Sequence, residues 1–265
     1  MKVFFLIPLF MILNNCIFII QKSEYPFNKT NLDKRVKLEL IKGDFLFTNF
    51  IDQSDTISIR CFNIMNESGV SGLPIKISWT HRTGSITILS DENGFINFKP
   101  EVSFSNNANQ VLKFQIDYNY LKLDENILSK NIIETNVKTT GPEAFLDFKL
   151  NLPQGTTIEK KLEDTFKSFF NEKYFVTFKD QRTSADIVIK ILVNIKEKEM
   201  PKDGMPFINY ISSDIKIINA KNDNLLFEFA IPEIRGGDFD QRKKASKKAI
   251  KNLIKHIKTT NFLEN

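Results

Sequence analysis

The chain is poor in the residues that build covalent or metal-bound chemistry. Its 265 residues include two cysteines (Cys16 and Cys61), two histidines (His81 and His256) and one tryptophan, Trp79. Two cysteines make no disulfide framework. Together with two histidines they fall short of a convincing structural zinc site, which needs four clustered nitrogen and sulfur ligands. Phosphate-cradling and nucleophile signatures are missing as well: there is no GxxxxGK[ST], no GxGxxG after a strand, no GxSxG, no HExxH and no CxxC. His81 lies in a turn beside Trp79 and His256 among lysines, neither with an evident nucleophile or metal partner. Carboxylates such as Asp147 and Asp186 have no spacing that pairs them. No catalytic residue, metal or cofactor is therefore expected. The net charge of +5 is too thin over this length to point to nucleic acid.

What the chain does have is the ordinary balance of a folded protein, 42% hydrophobic and 26% charged residues, in a length sufficient for two modest domains. It begins with Met1-Lys2 and an apolar run from Val3 to Leu13, the n-region and h-region of a secretory leader and too short to span a bilayer by itself. Apolar character resumes at Ile17-Phe18-Ile19-Ile20, so an uncleaved anchor from Val3 to Ile20 is the alternative to cleavage. Leu13-Asn14-Asn15-Cys16 resembles a bacterial lipobox, with Asn15 where Gly, Ala or Ser is usual. That resemblance implies lipidation at Cys16 and a firmly held envelope lipoprotein, placed in the periplasm or at the outer membrane. Residues 21–35 are polar and aperiodic, a tether.

From 36 to 138 short alternating runs predict an all-β sandwich: Val36–Leu40, Thr56–Ile64, Ile75–Trp79, Ser85–Leu89, Phe95–Phe98 and Leu112–Tyr118. Trp79, in line with Ile75 and Ile77, reads as a core plug, and Cys61, in line with Ile57 and Ile59, as a buried inert thiol. Asn93-Gly94 suits a tight hairpin turn in which Asp91 bonds backbone amides. Gly69-Val70-Ser71-Gly72-Leu73-Pro74, followed by Ser90-Asp91-Glu92-Asn93-Gly94, resembles bacterial Ig-like and carboxypeptidase-regulatory-like modules. Such modules are spacers or binding platforms, so an Ig-like fold is implied for this stretch.

Lys138-Thr139-Thr140-Gly141-Pro142-Glu143 reads as a linker. An α+β domain is expected from 144 to 260, with four to five strands and two helices. Its central strand is Ala185–Ile195, where Ile187, Ile189, Ile191, Val193 and Ile195 alternate without a break. Ala144–Leu150 and Tyr174–Phe178 read as further strands, and Phe207–Asn219 with Leu225–Ile231 as an antiparallel hairpin. Ile158, Leu162, Phe166, Phe169 and Phe170 form one face of a helix over 157–170, started by a capping box at Thr156 and Glu159. Ala245, Ala249, Leu253 and Ile257 face a second helix over 240–258. Ser184–Ile189, the hairpin, Arg235-Gly236-Gly237 and the Ala245/Ala249/Leu253 helix resemble an envelope-lipoprotein domain. That group includes flagellar assembly protein T, the curli secretion lipoprotein, activators of penicillin-binding proteins and the N-terminal domain of TolB.

One surface has a physical claim on a partner. Lys243, Lys244, Lys247, Lys248, Lys251 and Lys255 crowd the polar side of the last helix, with no acid between Asp240 and Glu264. Such a face suits anionic headgroups, cell-wall polymer or an acidic protein. The whole reads as a multidomain, exported, membrane-tethered protein without catalytic function, a binding or assembly accessory for envelope machinery or cell wall. A surface adhesin or carbohydrate-binding module on the sandwich is the alternative.

Overall fold

The computed structural model describes residues 32, 34–43, 45–53, 55–79, 84–122, 131–151, 159–197, 205–261 and 263. In chain order these form β1 (Val36–Lys42), β2 (Phe45–Thr48), β3 (Ile57–Asn63), β4 (Pro74–Trp79), β5 (Ser85–Leu89), β6 (Phe95–Phe98), β7 (Asn109–Ile116), β8 (Ile132–Thr140) and β9 (Glu143–Asn151). Helix α1 (Glu159–Tyr174), β10 (Thr177–Lys179), β11 (Ile187–Glu197), β12 (Phe207–Asn219), β13 (Leu225–Asp238) and helix α2 (Arg242–Thr259) follow. The fold is α+β, three sheets with the two helices, in the orders β1-β3-β6, β2-β8-β7-β4-β5 and β10-β9-β11-β12-β13.

The chain divides into two compact units. The first comprises Met1–Ile41, Ser58–Asn97 and Lys113–Glu134. Its buried side chains include Val36, Leu38, Ile59, Cys61, Ile75, Ile77, Ile96, Phe114 and Ile116, the inward positions of alternating strands. The turn over 91–94 forms as its residues predict: the Asp91 carboxylate accepts from the N–H groups of Asn93 at 2.9 Å and Phe95 at 2.7 Å. Gly94 has φ +80, and a Cβ there would lie 2.3 Å from the Cys61 carbonyl oxygen, so only glycine lets the turn close on β3. Trp79 is half-buried at the end of β4 and does not plug the core; Leu73, Ile75 and Phe114 are among the fully buried residues.

The second unit comprises Lys42–Ile57, Phe98–Leu112 and Thr135–Asn265, and so includes two stretches that the sequence reading placed wholly in 36–138. Its sheet is built around β11, as the unbroken run of β-branched residues requires. β11 pairs parallel with β9 and antiparallel with β12, and β12 pairs antiparallel with β13. Parallel neighbours need a crossover, and the chain between β9 and β11 supplies it through α1 and β10. Ile187, Ile189, Ile191 and Val193 are buried in one cluster with Leu162, Phe166 and Phe170 of α1 and Ala249, Ile250, Leu253 and Ile257 of α2. Both helices therefore cover the same face of the sheet. The opposite face is polar along most of its length. There Lys196 meets Glu233 and Lys216 meets Glu228, each at 2.9 Å, and each glutamate pushes its lysine's pKa up.

Two expectations are corrected here. The stretch 138–143 is no loose linker: β8 runs to Thr140, and β9 starts at Glu143. Gly141 between them passes so close to the residue that follows α1 that a Cβ would lie 2.0 Å from the Phe175 carbonyl oxygen. Tyr174 is not the start of a strand but the last residue of α1. Phe175 follows in a left-handed conformation (φ 62), which ends the helix, and only 177–179 extend as β10. The capping-box residue Thr156 lies outside the described residues.

The core of this unit also has a part that no local pattern announced. Phe50, fully buried and itself at φ 65, sits among Phe104, Phe170, Tyr174 and Phe227 with ring centroids 5.4–6.4 Å away. Buried Asn49 holds the arrangement. Its Nδ2 donates to the carbonyl oxygens of Ser105 and Tyr174, both at 3.0 Å, and its Oδ1 accepts from the Ser105 N–H at 2.7 Å. Two early segments thus cap the C-terminal end of α1.

Candidate binding surface on the last helix

Helix α2 is set close to the sheet by its small residues. Gly236 on β13 lies beneath Ala245 and Ala249; a Cβ at 236 would come within 2.2 Å of the Ala249 nitrogen and 2.5 Å of the Ala245 oxygen. This contact explains the pairing of Gly236 with an alanine repeat at i, i+4. Asn209, buried on β12, donates to the Ser246 hydroxyl at 2.6 Å, and Asn252 donates to the Arg235 carbonyl at 2.8 Å. These bonds fix the rotation of the helix about its axis, and so which side faces solvent.

The start of α2 depends on Asp238, which the sequence reading did not single out. One carboxylate oxygen accepts from the N–H groups of Asp240 at 3.0 Å and Gln241 at 3.1 Å, while the other meets the Lys248 ammonium at 2.8 Å. The Lys248 hydrogen bond and the two amides hold the carboxyl well below the usual range, at about 2. An acid just ahead of a helical period is a recognisable start signal. What hid it was the adjoining pair of glycines.

The six lysines expected to form a surface are all exposed on α2, but they divide into two kinds. Lys248 is tied to Asp238, and Lys244 reaches back to Asp240 at 3.2 Å. Lys243, Lys247, Lys251 and Lys255 follow one another at i, i+4 spacing along the outer side, and no ion pair is described for any of them. His256 is half-buried in the last turn, its Nδ1 3.4 Å from the Thr260 hydroxyl. Cys16 and His81 lie outside the described residues. Among the described residues no helix is long and apolar enough to cross a membrane.

The remaining candidates resolve into packing roles. Cys61 is buried and free, and burial, with Asp91 adding, pushes its thiol up to about 12; alkylation at pH 8 is expected to label it only after denaturation. Asp186 joins two strand starts by accepting from the Glu143 N–H at 3.0 Å. Asp147 lies opposite Lys190, four positions along β11 from Asp186 and so roughly 13 Å away. A groove of about 440 Å³ beside α1 and the end of α2 is lined by Lys161, Asp164, Thr165, Phe169, Glu172 and Lys258 among others. Its two acids, Asp164 and Glu172, are eight residues apart on one helix, about 12 Å, too far for a shared proton.

No family model matches the chain, and no curated protein matches it. The resemblances drawn from its motifs therefore rest on those motifs alone. Solved structures do match over part of it. Lipoprotein GNA1162 from Neisseria meningitidis is 12% identical with a TM-score of 0.30, covering 44% of this chain and 99% of that one. Protein XCC0632 from Xanthomonas campestris, of the family model DUF330, is 10% identical with a TM-score of 0.31, covering 44% and 78%. The PelC dodecamer from Paraburkholderia phytofirmans is 13% identical with a TM-score of 0.26, covering 42% and 84%. Similarity at this level brings none of these proteins' roles to this chain.

Proposed function

We propose that this is an exported, N-terminally tethered envelope protein without catalytic function, a binding or assembly accessory whose contact surface is the outer side of α2. The carrying observation is that α2 keeps an arrangement that is unfavourable for a helix left in water. Its first turn holds Arg242, Lys243 and Lys244 and no acid, although the dipole there favours negative charge, and the two acids just ahead of it, Asp238 and Asp240, are engaged by Lys248 and Lys244. Lys243, Lys247, Lys251 and Lys255 then make three like-charge pairs at i, i+4, together costing about 1 kcal/mol. A local conflict of this kind marks a surface selected for something other than stability, and an anionic partner would relieve it.

The Lys2-led apolar run and the lipobox-like Leu13–Cys16 support export and a lipid anchor at Cys16. The Gly69–Pro74 and Ser90–Gly94 motifs support an Ig-like first unit acting as a spacer. The test is crosslinking of the full-length protein in intact cells, followed by recovery of bound envelope components. Lys243, Lys247 and Lys251 changed together to Glu should abolish recovery without lowering the thermal midpoint. Undiminished recovery by that variant would overturn the assignment to α2, and recovery of glycans alone would favour an adhesin.

A further inference from the structure

The unpaired lysines of α2 do not stand alone. Phe239, four residues ahead of Lys243, is 74% exposed, the most exposed aromatic side chain described, and Met205 is 60% exposed. The two lie at the same end of one strand pair, because Phe207 at the start of β12 pairs with Asp238 at the end of β13. The Asp238 bonds to Asp240, Gln241 and Lys248 hold this turn firmly against α2. Phe239 is thus presented to solvent by a fixed backbone rather than by a fraying end.

Building on the reading of α2 as a contact surface, we propose that its occupant is an anionic lipid bilayer, with Phe239 inserted at the interface and Lys243, Lys247, Lys251 and Lys255 against the headgroups. Charge complementarity argues for an anionic occupant: four lysines without described ion pairs, and no acid from 241 to 263. The composition argues for lipid over protein. Protein interfaces place their apolar residues centrally and are depleted in lysine while favouring arginine. Here the apolar side chains lie at one end, and the free cations are all lysines. Basic side chains beside an exposed aromatic are the make-up of surfaces that lie on membranes.

The test uses the full-length protein anchored in vesicles. Trp79 is the only tryptophan, so a Trp79→Phe, Phe239→Trp variant carries a single reporter at position 239. In vesicles with a third phosphatidylglycerol, its emission should shift to the blue and be quenched by lipids brominated along the acyl chain. In pure phosphatidylcholine it should behave as in water. Changing Lys243, Lys247 and Lys251 to Gln should lower the docked-to-undocked ratio by roughly a hundredfold, each basic group at such a surface being worth about fivefold. Added salt should act in the same direction. An unquenched reporter in anionic vesicles overturns the proposal, as does equal quenching in both lipids, which the anchor alone would produce. If the reporter stays unquenched while crosslinking in cells still depends on the same lysines, lipid is excluded and the wider reading of α2 stands. An unchanged thermal midpoint confirms that the variants remain folded.

Discussion

Helix α1 carries four basic and four acidic residues in sixteen; helix α2 carries eight basic and none acidic in eighteen. Both cover the same face of one sheet and share one hydrophobic cluster. On α1 the outer charges cancel locally, as in the Lys167–Glu163 pair at 2.7 Å. On α2 Lys244 and Lys248 pair with acids that lie before the helix begins, while Lys243, Lys247, Lys251 and Lys255 have no ion pair among the described residues. On the polar face of the sheet, too, Lys196 and Lys216 are matched by glutamates across strands. Solvation alone accounts for neutral surfaces of that kind; on the proposed reading, the α2 surface would take its counter-charge from an anionic partner.

The helices also differ in how they are seated, and that difference can be broken at either end. The largest effect is expected from Phe50→Ala, which removes the ring beneath Phe170 and Tyr174 at the end of α1. A loss of about 3–5 kcal/mol should appear as a lower denaturant midpoint. Gly236→Ala attacks α2 instead: the added Cβ meets backbone that cannot yield, so about 1–3 kcal/mol should be lost, with lysine-dependent capture weakened as the helix is displaced. The smallest effect concerns Asp238. Its folded pKa of about 2 lies below the unfolded value, so its contribution is present above about pH 4 and is lost as the pH falls toward 2. Asp238→Asn should flatten acid unfolding in that window, and a curve unchanged from the parent would show that Asp238 holds nothing there.

Most of the second unit's sheet and both helices could be read from the sequence because their patterns are local. β11 needs only its own alternation, and α2 only its alanine and leucine repeat. The lysine surface was legible in the same way, since exposure follows once the apolar side is assigned. Its division into tethered and unpaired lysines was not, because Asp238 acts on Lys248 ten residues away. Phe50 and Asn49 were illegible for a stronger reason: a short loop with one aromatic and one amide carries no mark of a partner more than a hundred residues on. Trp79 misled because strand parity indicates a face, not a depth, and a strand end can lie on the inner face and still reach water.

The Asn49 bond to the Tyr174 carbonyl joins positions 125 residues apart. Closing so long a loop costs entropy before the contact contributes anything, which slows collapse. This part of the core therefore cannot lock until the chain has been made through Phe227, whose ring packs against Phe50. A truncated copy beginning near 144 would lack the pieces needed to close its own interior.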